Sequence, residues 1–115
     1  MALQKQYICP VNIALDLIGG KWKPMILWQM GKGQRRFSSL QAAMPEVSHK
    51  VLSEQLHQLQ RDGVVVRVVR EGRAQRSEYA LTELGRSLRP MLNGLAAWGK
   101  THHGALGVEL CSTAP

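Results

Sequence analysis

Five side chains, Ser48, His49, Lys50, Ser53 and His57, combine hydrogen-bonding chemistry with helical spacing. At about 100° per residue, Lys50, Ser53, Glu54, His57 and Arg61 fall on one side of a helix, with Ser48 and His49 at its leading end. Leu52, Leu56 and Leu59 recur at i, i+4 and i+7 on the opposite side, which is the stripe a helix buries. The outward set suits base-pair edges. Lys50 and His49 can donate to guanine O6 or N7, and Ser53 is short enough to permit close approach and to bond either kind of edge. Glu54 has two readings, accepting from cytosine N4 or pairing with Lys50 four residues earlier.

Two further groups are suited to phosphate. Arg35, Arg36, Ser38 and Ser39 flank the expected start of a short helix, where free N–H groups and hydroxyls favour an anionic oxygen. Arg70, Arg73 and Arg76 surround a turn, and their guanidinium groups can follow a nucleic-acid backbone or enter a minor groove. Cys9 directly precedes Pro10, so it occupies an expected N-cap, where the helix dipole and nearby Lys5 attract negative charge. It reads either as a responsive thiol or as a small packing residue. Cys9, His102, His103 and Cys111 have no spacing that matches a zinc or catalytic pattern. The expectation is therefore a protein without catalytic residues, metal or cofactor.

Positioning these groups requires a particular order of elements. Residues 10–18 form a first expected helix with an apolar face of Val11, Ala14, Leu15 and Ile18, opened by Pro10 and released by Gly19-Gly20. A central helix over 22–30 carries Met25, Ile26, Trp28 and Met30, with Pro24 in its first turn and Gly31 at its end. Ser38 is the expected cap of a short helix holding Leu40 and Met44, which Pro45 stops. After Pro45-Glu46-Val47, Ser48 caps the next helix, which ends at Gly63. The period then changes to that of strands: Val64 to Arg70 is rich in β-branched valine, Glu71-Gly72-Arg73-Ala74 turns, and a second strand runs from Gln75 to Leu81 with Tyr79 and Leu81 on one face. Thr82 caps a last helix carrying Leu84, Leu88, Met91, Leu92, Leu95 and Trp98, which Pro90 should kink. That stripe exceeds what so small a domain needs internally, so Leu88, Leu92, Leu95 and Trp98 are expected at a subunit interface. Beyond Gly99 the chain should fray.

Helix, short turn, helix and hairpin make a mainly α fold with a small β-hairpin wing, a winged helix-turn-helix. At 115 residues the chain suits one domain, expected over 9–107, with 1–8 and 108–115 as loose termini. Fifteen Lys+Arg against eight Asp+Glu leave a formal charge of +7, which attracts polyanions. A membrane surface fits poorly, because the basic residues are not gathered on one long amphipathic helix, and no apolar run reaches the roughly 18 residues of a span. With no signal-like start, the expected compartment is the cytoplasm.

The chain resembles the HxlR-type winged helix-turn-helix transcriptional regulators, relatives of the MarR group. The resemblance rests on Cys9-Pro10-Val11, Ile18-Gly19-Gly20-Lys21-Trp22-Lys23, Arg36-Phe37, Ser48 with Lys50 and Leu52, Leu59 followed by Asp62-Gly63, and Glu78-Tyr79 running into Leu81-Thr82-Glu83-Leu84-Gly85. It implies a sequence-specific double-stranded DNA-binding regulator of transcription, a homodimer held by its terminal helices over inverted half-sites. It also implies that Cys9 matches a cysteine with which several members sense oxidants or electrophiles. Where relatives usually place prolines in the wing, this chain has Arg73-Ala74-Gln75. Two alternatives share the basic composition: a nonspecific nucleoid or RNA-associated protein, and a small metal-responsive regulator.

Overall fold

Pro10, with its φ already helical, opens α1 (Pro10–Ile18), and Cys9 takes the extended N-cap conformation before it. The computed structural model describes residues 3–69 and 77–111. The buried end of α1 is Leu17 and Ile18, whereas Val11 and Leu15 of the expected apolar face are 61% and 57% exposed. That expectation is corrected: a nine-residue helix touches the body of the subunit at its C-terminal end and leaves the rest of its apolar surface outside.

In α2 (Lys23–Gly31), Pro24 sits in the opening turn, where its missing N–H breaks no helical bond. Ile26, Leu27 and Met30 enter the core, and Met25 faces out, so the buried edge is one residue round from the expected one. Lys23 is also buried, its long stem covered by the protein.

The segment after α2 is extended, not merely a turn. The N–H of Tyr79 donates to the Arg35 carbonyl at 2.7 Å, and Arg36 forms an antiparallel bridge with Glu78. This pairing decides where α3 (Phe37–Ala43) begins. Arg36 is its N-cap and Ser38 lies inside the first turn, which corrects the expected cap at Ser38. Pro45-Glu46-Val47 then leads to α4 (His49–Arg61), whose Ser48 cap accepts from the Val51 N–H at 3.1 Å. Gly63, at φ +76, reverses the chain after the helix in the left-handed region where a side chain is strained.

Strands β1 (Val65–Val69) and β2 (Ser77–Leu81) pair antiparallel, from Val65 opposite Leu81 to Val69 opposite Ser77. Because residues 35–36 lie on the other side of β2, that strand is flanked on both sides and is tied to the base of the helix pair. The core is continuous through α2, α3, α4, the start of β1 and Leu92. Leu40, Met44, Leu52, Leu56 and Leu59 are all at most 1% exposed, as the leucine stripe required.

The terminal helix is two helices, α5 (Glu83–Ser87) and α6 (Arg89–His102), with Leu88 between them. A kink was expected. The break follows because Pro90 offers no N–H and its ring crowds the carbonyl four residues back, so the chain restarts with Pro90 in an opening turn. The tail beyond Gly99 does not fray at once, correcting a second expectation. The helix continues to His102, and the Val108 N–H donates to the His103 carbonyl at 3.1 Å, with Gly107 at φ +71 closing the turn. At the other end, the Tyr7 hydroxyl donates to Asp16 at 2.8 Å. Among the described residues no helix is long and apolar enough to cross a membrane.

Candidate nucleic-acid interface

The polar face of α4 is uncovered along its length. Ser48, His49, Lys50, Ser53, Glu54, His57 and Arg61 are all exposed, while Leu52, Leu56 and Leu59 hold the opposite face in the core. Ser48 spends an acceptor position on the cap, and its hydroxyl hydrogen stays available to donate. The His49 ring lies against Phe37, centroids 4.5 Å apart at 47°, so α3 orients the first side chain of α4. No ion pair joins Glu54 to Lys50 among the described residues.

At the far end Arg61 is engaged, its Nε donating to Asp62 at 3.2 Å. With a rise of about 1.5 Å per residue, Arg61 stands roughly 20 Å along the axis from Ser48. It is thus a separate feature from the leading cluster. Arg35, Arg36 and Ser38 are exposed and Ser39 is half-buried around the start of α3. Arg70, Arg73 and Arg76 lie outside the described residues.

Sequence reasoning missed the clamp inside the turn. The Gln41 amide Nε2 of α3 donates to the Val47 carbonyl, joining α3 to the residue that precedes the Ser48 cap. Its Oε1 is buried without a partner. An isolated glutamine in a short amphipathic helix carries no periodic signal, so nothing in the pattern distinguishes this one.

The remaining candidate residues separate into two settings. Leu92 is buried within its own subunit and Leu88 is half-buried against the same core, whereas Leu95 and Trp98 are 59% and 55% exposed. The Trp98 ring stacks on His102 at 4.6 Å. Cys9 and Cys111 are exposed free thiols. Among the described residues no three His, Cys, Asp or Glu side chains are placed to hold a metal ion.

Comparison with known proteins agrees with this geometry. The model of the HxlR-like helix-turn-helix family matches residues 17–106. The HTH-type transcriptional regulator YtcD of Bacillus subtilis (strain 168) is 42% identical over 99 residues, covering 86% of this chain and 79% of the relative. The redox regulator HypR in its reduced form superposes with a TM-score of 0.81 at 36% identity, covering 86% of this chain and 98% of that one. Diamide-treated YodB from B. subtilis gives a TM-score of 0.68 at 29% identity, covering 84% and 96%. A helix-turn-helix with a paired hairpin, matched over most of its length by family model, relative and solved structures alike, places this chain in the HxlR-like helix-turn-helix family of transcriptional regulators.

Proposed function

We propose that two copies of this chain pair through the apolar side chains left exposed on α1 and α6, and that each presents α4 to one half-site of an inverted-repeat DNA operator. The observation that carries this reading is the division of α4, with leucines wholly buried and every polar candidate uncovered. Ser48, His49, Lys50, Ser53 and His57 read base edges, and Arg35, Arg36, Ser38, Ser39 and Arg61 position the helix on phosphates. Arg70, Arg73 and Arg76 add wing contacts. A twofold dimer places half-sites about one helical turn, roughly 34 Å, apart.

Val11 and Leu15 of α1 and Leu95 and Trp98 of α6 supply exposed apolar surface for a partner, while Leu88 and Leu92 support α6 from within. The protein acts by binding rather than catalysis, and its DNA ligand puts its work in the cytoplasm. Cys9 sits exposed at the head of α1, beside this surface, so an oxidant or electrophile that modifies the thiol alters the seam and the separation of the two α4 helices. The named redox regulator HypR supports that role.

The test is selection of bound duplexes from a random pool by the purified protein. A regulator enriches an inverted repeat and prefers it over unrelated duplex by about a thousandfold or more. Enrichment of no sequence identifies a nonspecific nucleic-acid-binding protein instead.

A further inference from the structure

Between the C-terminal end of α2, strand β2 and the α5–α6 junction lies an open cleft of about 360 Å³. Arg35, Arg86 and Arg89 line it, Tyr79 forms part of the wall, and no carboxylate lines it among the described residues. Two of the three guanidinium groups are held by the backbone. Arg86 Nη1 donates to the Leu81 carbonyl at 3.0 Å, and Arg89 Nη2 donates to the Gly31 carbonyl at 3.3 Å. The backbone of Arg35 is fixed through the 2.7 Å bond from Tyr79.

Each guanidinium carries five N–H donors in a rigid fork, so one bond to a carbonyl orients the group and leaves most of its donors unused. Three like charges around one concavity repel, and a bound anion removes that repulsion while accepting charge-assisted hydrogen bonds. The volume lies within the range of small-molecule sites. We propose that this cleft binds a small multivalent anion, one bearing phosphate or several carboxylates. None of its lining residues belongs to α4, so the site is distinct from the base-reading face. It touches β2, which carries the wing, and Arg89 of α6, whose exposed side carries Leu95 and Trp98, so an anion there links the hairpin to the helix proposed to pair subunits.

The test titrates the full-length protein, without DNA, with sodium pyrophosphate and separately with citrate at constant ionic strength, following backbone amide resonances. The expected result is saturable change centred on Gly33, Tyr79, Ala80 and Arg86 with at least one of the two anions. Affinity should fall about tenfold in Arg86→Gln and in Arg35→Gln, and be unchanged in Lys100→Gln, an exposed cation outside the cleft. Arg86→Gln also removes the bond to Leu81, so Arg35→Gln, which keeps its backbone bonds, is the deciding variant. Duplex DNA titrated across several salt concentrations then identifies the source of the anion. A salt slope lowered by about one in Arg89→Gln, at a position that lines the cleft and has no assigned DNA contact, assigns the cleft to backbone phosphate, and an unchanged slope assigns it to a free anion. Changes that do not saturate with either anion, that spread evenly over the surface, or that persist undiminished in Arg35→Gln overturn the proposal. Failure here leaves the assignment of α4 intact, because that assignment is measured by operator preference.

Discussion

The Thr82 hydroxyl donates to the Gly63 carbonyl across 2.6 Å, joining residues nineteen positions apart. The same oxygen accepts the Gly85 N–H at 3.1 Å and so caps α5. One side chain therefore starts a helix and fixes the reversal that ends α4. Thr82→Val keeps the shape and removes both bonds, and should destabilise the subunit by about 1–2 kcal/mol in urea denaturation, with Thr82→Ser recovering most of it. Equal midpoints for Thr82→Val and the parent would show that the cap is idle.

Gly85 supplies an opposing test of local against tertiary preference. On propensity alone, Gly→Ala inside a helix adds up to about 1 kcal/mol of stability. A Cβ at Gly85 would lie 2.2 Å from the Val64 carbonyl oxygen and 3.2 Å from Leu81, contacts that backbone must shift to relieve. Gly85→Ala should instead destabilise by about 2 kcal/mol, read as a lowered urea midpoint. A raised midpoint would refute the close packing of α5 on the hairpin.

Burial pushes the Lys23 ammonium below the ordinary lysine value of 10.5, against the opposing pull of Asp62 and with a smaller push from Arg61. Between the folded value and 10.5 the unfolded chain binds more protons, so this residue makes stability rise with pH across that window. Below it the unfavourable contribution is fully present. Denaturation of the parent and of Lys23→Met at near-neutral and at alkaline pH should show the parent gaining on the variant as pH rises. A constant difference would mean that Lys23 is as well solvated folded as unfolded.

On DNA, Lys50→Ala and His49→Ala should each alter which base is preferred, losing about 1–3 kcal/mol of discrimination at one position of each half-site. Arg36→Ala should weaken all duplexes alike and lower the salt slope by about one. Unchanged operator discrimination in the Lys50→Ala/His49→Ala double variant would remove α4 from base reading.

The terminal helices are tested by assembly. Leu95→Glu places a charge on exposed apolar surface, so it should leave the subunit folded while shifting sedimentation from dimer to monomer and abolishing tight operator binding. A Leu95→Glu protein that sediments like its parent would exclude this surface from the seam.

Cys9→Ser should bind operator normally and lose any response to diamide or aldehydes in a gel-shift assay. A full response in that variant would move sensing to another residue.

Much of this architecture is local, and that part was legible in the residues. Ser48 accepts from a neighbour three positions away, Pro10 opens its helix with its own ring, and Gly63 needs nothing but the absence of a Cβ. The leucine stripe of α4 likewise repeats within thirteen residues, so its burial and the exposure of the opposite face could be read directly. Pro90 was also legible as a disruption, although periodicity across it suggested one bent helix where there are two.

What the chain alone settled, then, were the helix pair, the Ser48 cap of its second member and the exposed polar face of that helix, because bonds between near neighbours and the side-chain period decide those. Tertiary structure decided how the parts are held. Tyr79 pairs with Arg35 forty-four residues back, Thr82 reaches Gly63, and Leu92 turns into the core while Leu95 stays outside. Arg35 faces one cleft with Arg86 and Arg89, about fifty residues further on, only because the sheet edge and the helix junction meet there. Such relations depend on which surfaces touch, and no spacing along a single strand or helix encodes that.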